Sequence, residues 1–173
     1  MREIVLDTET TGISARQGHR IIEIACLELE NGQPNGKVFH QRLNPGRPID
    51  WQASRIHGIR DDHVRSCPAF SEIAPKLFDF IADSPLVIHN APFDLAFLRQ
   101  EILLAGRGEF QPRAVVDTLQ MARRLFPGRK NSLEALCHRF AIDVSGRQLH
   151  GALIDCRLLA RVYHCLLAFS SPS

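Results

Sequence analysis

The sequence predicts an α/β fold with a mixed five-stranded sheet and helices on both faces. Three strand-like segments come first, and helix-like segments then alternate with two short, fully apolar strands. Strands interleaved with helices are typical of α/β proteins, in which helices cover the sheet. With 173 residues, the chain has the usual length of one domain with a substantial core.

The first three strands are expected at residues 4–6, 21–27 and 37–43. The first two runs consist mainly of aliphatic residues, and the third alternates apolar with polar residues. Residues 13–19 are polar and predict a loop between the first two strands. Asn31 and Gly32 are a strong hairpin signal between the second and third. The three strands therefore form an antiparallel meander, with the first strand at its inner side.

The spacing of apolar residues predicts the helices that follow. Two short helices are expected within residues 50–66. A longer helix is expected after Ser71 and Glu72, because apolar residues recur there at helical intervals: Ile73, Leu77, Phe80 and Ile81. Fully apolar strands are expected at 86–88 and 114–116.

A helix follows each of these two strands. In the first, Pro92 suits the first helical position, and Phe93, Phe97 and Leu104 line one side. The second begins at Asp117 and ends near Pro127.

Two more helices complete the chain. Asn131 and Ser132 are expected to cap one of them, with Glu134 placed for a capping box. The last helix is expected over about residues 151–169. We expect one domain over residues 1–169 and a disordered tail over residues 170–173.

Composition excludes few functions. The formal net charge is only +2, so a nucleic-acid partner is neither required nor excluded and any basic surface must be local. The five cysteines show no zinc-type spacing, which favours small buried residues in a reducing compartment. We find no signal peptide and no run of transmembrane length. We therefore expect a cytoplasmic protein without a membrane partner.

Asp7 and Glu9 follow directly on the first strand. Side chains two apart in a strand project to one face, where two like charges repel each other and are costly to desolvate. A bound divalent cation would remove that cost. The alternative is that both acids merely begin a loop, and these residues alone do not decide between the two.

Two later acids have ordinary structural explanations. Asp94 lies in the first turn of a helix, where an acid favours the helix dipole. Asp117 fits an N-cap after a strand. We expect it at most to contact residues of the site, without binding metal or substrate itself.

Asp155 and His150 are more informative. Asp155 stands among apolar residues at the start of the last helix, where an acid needs a partner. On one continuous helix the two would lie about 140° apart, so they converge only if His150 stands in the loop before Gly151. The alternative for His150 is an exposed loop histidine without a catalytic role.

Together these residues favour hydrolysis of a phosphodiester. Four carboxylates, on Asp7, Glu9, Asp94 and Asp155, suit Mg²⁺ or Mn²⁺ rather than zinc. Two such ions about 3.5–4 Å apart can clamp the attacking and leaving oxygens. His150 titrates near neutrality and could take the proton from the attacking water.

Three segments resemble the exonuclease motifs of the DEDDh (DnaQ-like) 3′–5′ exonucleases. They are Asp7-Thr8-Glu9-Thr10-Thr11-Gly12, His89-Asn90-Ala91-Pro92-Phe93-Asp94 and His150-Gly151-Ala152-Leu153-Ile154-Asp155. Residues 21–24, 56–59 and 126–137 also resemble the branch of this family that proofreads for bacterial DNA polymerase III, the epsilon-type subunits. The resemblance covers roughly residues 2–168.

This resemblance implies a ribonuclease-H-like fold and removal of mismatched 3′-terminal deoxynucleotides as nucleoside monophosphates. It implies that the four carboxylates bind two metal ions, with Asp7 shared between them, and that His150 is the general base. It further implies that five residues surround the terminal nucleotide: Thr10, Thr11, His57, Asn90 and Phe93. The implied partners are a single-stranded or frayed 3′ end of DNA and, if the full-length protein has a C-terminal segment, the polymerase III alpha subunit.

Two other functions remain open at this stage. A relative that trims RNA or short oligonucleotides would carry the same motifs, because sugar selection depends on packing against the 2′ position. A non-catalytic binding module of the same fold is the third possibility. The presence of all four acids and His150 favours an enzyme over that module.

Overall fold

The computed structural model describes residues 1–170 and contains one five-stranded mixed sheet. Its strands are β1 (Arg2–Thr10), β2 (Ile21–Glu30), β3 (Gln33–Arg42), β4 (Leu86–Ile88) and β5 (Val115–Asp117). Their order across the sheet is β3-β2-β1-β4-β5. β1 pairs antiparallel with β2 and parallel with β4. The mixed sheet and the inner position of β1 are thus confirmed.

Helices occupy most of the rest of the described residues. They are α1 (Trp51–His57), α2 (Asp61–Val64), α3 (Phe70–Ile81), α4 (Ala91–Leu104), α5 (Thr118–Leu125), α6 (Leu133–Arg139) and α7 (Ala152–Ser170). A single 3-10 turn, Ala15–Gln17, lies in the segment predicted as a loop. None of the helices within residues 1–170 is long and apolar enough to cross a membrane.

The central strand β1 packs against helices on both of its faces. Ile4 and Leu6 belong to the core that includes residues of α3 and α4. Val5 belongs to a second core with Cys156 and Leu159 of α7. Because side chains alternate along a strand, residues beyond Leu6 continue this division. Asp7 and Glu9 share the face of Val5, and Thr8 shares the face of Ile4.

The start and the apolar side of α4 differ from expectation. The helix begins at Ala91, so Pro92 takes its second position rather than its first. Leu104, the last residue of the helix, is exposed. The buried apolar face is formed instead by Leu95, Leu98 and Ile102, along with Phe97.

The predicted ends of several other helices and strands also differ from those in the structure. Ser132 caps α6 as expected, but Glu134 is the second helical residue, one position too early for a capping box. The strands β1, β2 and β3 extend beyond their apolar runs, and Asp7 and Glu9 lie within β1. Ser170 is part of α7, and the rest of the predicted tail, residues 171–173, lies outside the described residues.

Free cysteines occur in the core as predicted. Cys26, Cys137 and Cys156 are buried, and Cys67 and Cys165 are partly buried.

Candidate active site

Three elements bring the four predicted carboxylates to one cavity. Asp7 and Glu9 come from β1, and Asp155 is the fourth residue of α7, which packs on the same face. Asp94 is the fourth residue of α4 and approaches from the opposite face. All four line a cavity of about 590 Å³. Glu9, Asp94 and Asp155 are each less than 10% exposed, at 8%, 3% and 4%.

Thr8 holds Asp94 against β1. Its backbone N–H and its hydroxyl donate to Asp94 Oδ1, with donor–acceptor distances of 3.1 Å and 2.7 Å. Thr8 points to the face opposite Asp7, which is the face that α4 covers. The residue between the two acids therefore fixes the third acid. No sequence pattern indicated this role of Thr8.

The cluster disfavours negative charge. Burial and then the neighbouring carboxylates, first that of Asp94, raise the pKa of Asp7 well above its usual range. Burial and then Asp155 raise the pKa of Glu9 to about 8. Burial raises the pKa of Asp94 to about 7, although the bonds from Thr8 act in the opposite direction. Three crowded acids with raised pKa values are the electrostatic signature of a functional site.

Arg147 is the principal site residue that the sequence analysis missed. Its Nε donates to Asp155 Oδ1 at 2.6 Å, and its Nη2 donates to Asp155 Oδ2 at 2.7 Å. It also lines the cavity. The three motifs contain no arginine or lysine to balance the acids. Arg147 supplies one from the preceding loop, where no periodic pattern marks it.

Glu23 was also missed, and it fixes the start of α7. Its Oε1 accepts a hydrogen bond of 2.7 Å from the backbone N–H of Ala152, the first residue of the helix. Its Oε2 contacts His40 and Arg42. These bonds lower the pKa of Glu23, although burial acts against them. Because Glu23 pairs with Glu9 across β1 and β2, it sets the position of α7 relative to the acids of β1.

His150 stands outside α7, as the spacing predicted. Its Nδ1 lies 3.7 Å from Asp155 Oδ2, and its backbone N–H donates to the carbonyl oxygen of Ile56 at 3.1 Å. Burial and the nearby Arg147 lower the pKa of the imidazole. The neutral ring, which a general base requires, is therefore favoured near pH 7.

The residues expected around the terminal nucleotide divide between two adjoining cavities. Asn90 and Phe93 line the first. Thr10 and His57 line the second, of about 270 Å³, to which Phe93 also contributes. His57 Nε2 lies 3.1 Å from the carbonyl oxygen of Thr10 and its Nδ1 accepts from the N–H of Ile59. His57 therefore also braces the end of β1.

The side chain of Thr11 lies apart from both cavities, and a contact with the nucleotide stays a prediction. Thr11 is completely buried and lines neither cavity. Its hydroxyl lies 2.9 Å from His19 Nδ1 and accepts from the backbone N–H of Arg20. The side chain of Thr11 thus stabilises the turn after β1.

Asp117 caps α5, as expected, and also contacts the turn that precedes α4. Its Oδ1 accepts from the N–H groups of Leu119 and Gln120, which caps α5. The same oxygen accepts from the backbone N–H of Asn90 at 3.1 Å. Asn90 has a left-handed backbone, with φ 65°, and leads into the helix that carries Asp94. Asp117 therefore stabilises the turn that aims α4 at β1.

The donor set fits a divalent metal ion. The side chains of Glu9, His150 and Asp155 offer ligand atoms within 4.8 Å of one another, and Asp7 and Asp94 line the same cavity. Carboxylate oxygens are the ligands that hard cations such as Mg²⁺ and Mn²⁺ prefer. A cation would also offset the burial and mutual repulsion that raise these pKa values.

Nucleases of known structure share this fold. The nuclease domain of 3′hExo, described as a DEDDh family member bound to rAMP, superimposes with a TM-score of 0.82 over 98% of this chain and 92% of that one, at 19% identity. Exonuclease X in complex with 5′ overhanging duplex DNA gives 0.75 over 98% and 93%, at 29% identity.

Sequence comparison gives a narrower assignment. Residues 4–163 match the exonuclease family RNase_T. DNA polymerase III subunit epsilon of Rickettsia felis is 52% identical over 166 residues, which are 94% of this chain and 72% of that protein. The Escherichia coli K12 subunit is 46% identical over 169 residues, covering 94% and 70%. The chain therefore belongs to the RNase_T exonuclease family and, within it, to the DNA polymerase III epsilon subunits.

Crowding of the acids predicts a stability that depends on pH and metal. In EDTA, the free energy of unfolding should fall between about pH 5 and pH 8. Glu9 and Asp94 retain protons up to about pH 8 and 7 when folded but lose them near pH 4 when unfolded. Excess Mg²⁺ should suppress this fall, because a cation bound among the acids would stabilise their ionised forms. Urea denaturation across this pH range measures the effect.

Asp7→Asn is the test variant, and Asp79→Asn, at an exposed position of α3, is its control. Asp7→Asn should flatten the pH dependence in EDTA, whereas Asp79→Asn should leave it unchanged. If the free energy of unfolding falls equally with pH in the wild type and in both variants, the carboxylate cluster is not the source of the pH dependence.

Proposed function

We propose that this chain removes mismatched 3′-terminal deoxynucleotides from DNA as nucleoside monophosphates and proofreads for the replicative DNA polymerase. The observation that carries this proposal is the convergence of Asp7, Glu9, Asp94 and Asp155 on one cavity beside His150. The epsilon-subunit relatives support the polymerase context. If the full-length protein has a C-terminal segment, we propose that this segment contacts the polymerase III alpha subunit. This role implies a cytoplasmic location.

The metal site would consist of the four carboxylates. We propose that they hold two Mg²⁺ or Mn²⁺ ions. When bound, such ions lower the pKa of the attacking water and neutralise charge on the leaving oxygen. The folded chain holds these acids close together before any substrate arrives, which lowers the entropy cost of assembling the site.

His150 is the proposed general base. Its Nδ1 faces the acids and lies 3.7 Å from Asp155 Oδ2, and burial favours the neutral ring. In that form a ring nitrogen can take a proton from water during attack. The turn at Gly151 keeps His150 off the helix, so its ring can approach the acids independently of α7.

The cavity walls suit a nucleic-acid end. Arg123 and Arg129 line the first cavity and provide local positive charge for phosphates despite the low net charge. Ile13 and Ile56 line the second cavity and are exposed. Together with Phe93 they offer an apolar surface on which an unpaired base can pack. We propose that Thr10, His57 and Asn90 frame the same nucleotide.

Trimming of RNA remains the second candidate. A likeness to 3′hExo bound to rAMP shows the fold alone at 19% identity, so it does not favour RNA over DNA. The epsilon-subunit relatives, at 45–52% identity, favour DNA.

Mismatched or single-stranded 3′ ends should be cut faster than paired ends. The acids lie in a cavity rather than on an open surface, so a paired end must first melt to reach them. A mismatch lowers this unpairing cost, which is itself a source of selectivity. Single-turnover cleavage of matched, mismatched and RNA primers in Mg²⁺ measures the preference. Equal rates on paired and mispaired DNA would contradict proofreading, and faster cleavage of RNA would favour the second candidate.

His150→Ala should lower the chemical step by roughly 10²–10⁴-fold, the usual contribution of a general base. Mn²⁺ affinity, measured by calorimetry, should change little because the four acids remain. His138→Ala, at an exposed position of α6, is the control and should retain both properties. If His150→Ala loses metal affinity in proportion to its lost rate, the histidine is a ligand instead, as its distance from Glu9 and Asp155 allows.

A further inference from the structure

Arg147 donates hydrogen bonds to both carboxylate oxygens of Asp155. Its two nitrogens donate to the two oxygens at 2.6 Å and 2.7 Å, which is the bidentate fork that arginine forms with carboxylates. The guanidinium side chain is only 9% exposed. The pair is therefore poorly screened by solvent.

The charge of Arg147 reaches the rest of the cluster. It lowers the pKa of both Asp7 and Glu9, in opposition to their burial. Arg147 thus acts as an internal counter-cation for at least three of the four acids. A divalent cation bound by the same acids would lie close to this guanidinium and be repelled by it.

The same guanidinium also contacts His150. Arg147 Nη2 lies 3.1 Å from His150 Nδ1. Since arginine can only donate, Nδ1 must accept and its lone pair is occupied. This nitrogen faces Asp155, so it cannot take a proton from water while Arg147 remains in place.

We propose that Arg147 competes with the divalent metal for Asp155, and that metal binding displaces its guanidinium and releases His150 Nδ1. The inference rests on the metal site of the proposed function. It goes further by coupling occupation of the metal site to availability of the base. Arg147 is thus a positioning residue, since it acts through Asp155 and His150.

The alternative is that Arg147 merely ties the preceding loop to α7. The two roles predict opposite signs for metal affinity. Loss of a structural tie would leave Asp155 less well placed, and metal affinity would fall or stay unchanged. Loss of a competitor would make metal affinity rise.

Calorimetric titration of EDTA-stripped, dialysed protein with Mn²⁺ tests this sign. Arg147→Ala should bind Mn²⁺ about tenfold more tightly than the wild type, because a charge-assisted hydrogen bond contributes about as much free energy as a tenfold change in affinity. Arg147→Lys keeps the charge but loses the bidentate fork, so its Mn²⁺ affinity should lie between those of the wild type and Arg147→Ala. It replaces Arg147→Ala as the test variant if that protein does not fold. Arg157→Ala, at an exposed position of α7, is the control and should match the wild type.

Thermal unfolding provides a second readout. Without metal, Arg147→Ala should melt at a lower temperature than the wild type because the acids lose their counter-cation. Saturating Mn²⁺ should raise its melting temperature by more than it raises that of the wild type. Weaker or unchanged Mn²⁺ binding in both Arg147 variants would overturn this inference and leave the proposed metal site standing. Absence of Mn²⁺ binding to the wild type would overturn the proposed metal site as well.

Discussion

Crowding of four carboxylates at the end of β1 is the constraint on which the rest of the site depends. Acids at this density and burial are unfavourable unless something balances their charge. The raised pKa values of Asp7, Glu9 and Asp94 express that cost. In the proposed function the same arrangement would bind a divalent cation, so stability would be traded for function.

The sheet topology makes this crowding possible. β1 lies inside the sheet, with β2 on one side and β4 on the other. Helices pack on both of its faces, and α4 and α7 each place one acid near its end. Local contacts set the final positions: Thr8 holds Asp94, and Glu23 holds the start of α7.

The sequence predicted the parts of this arrangement that have a periodic or motif signal. The apolar runs of β1 and β4 and the two-residue spacing of Asp7 and Glu9 placed the acids on one face of a central strand. The offset between His150 and Asp155 placed the histidine in the loop. The interpretation of the acids as a metal site depended on the resemblance of three motifs to a known family, because each acid alone had an ordinary explanation.

Contacts between distant segments could not be predicted in this way. Arg147 lies in an irregular loop with no pattern, and its role depends on how that loop folds over α7. Glu23 looked like one polar residue in an apolar strand, and its bond to Ala152 spans 129 positions of the chain. The burial of Thr11 was not predicted, because a motif gives the order of residues but not their burial. Thr10 lines the second cavity, whereas Thr11 is buried in the turn after β1, and the two look alike in the motif.

The most direct test follows a 5′-labelled single strand of DNA during incubation with the wild type and with Asp7→Ala, in Mg²⁺ and in EDTA. The strand should shorten one nucleotide at a time from its 3′ end, only with the wild type and only in Mg²⁺. Asp7→Ala should remain folded, as circular dichroism can verify, and should release no nucleotide. Hydrolysis that persists in EDTA, or full activity of folded Asp7→Ala, would show that the carboxylate cluster is not the catalytic centre.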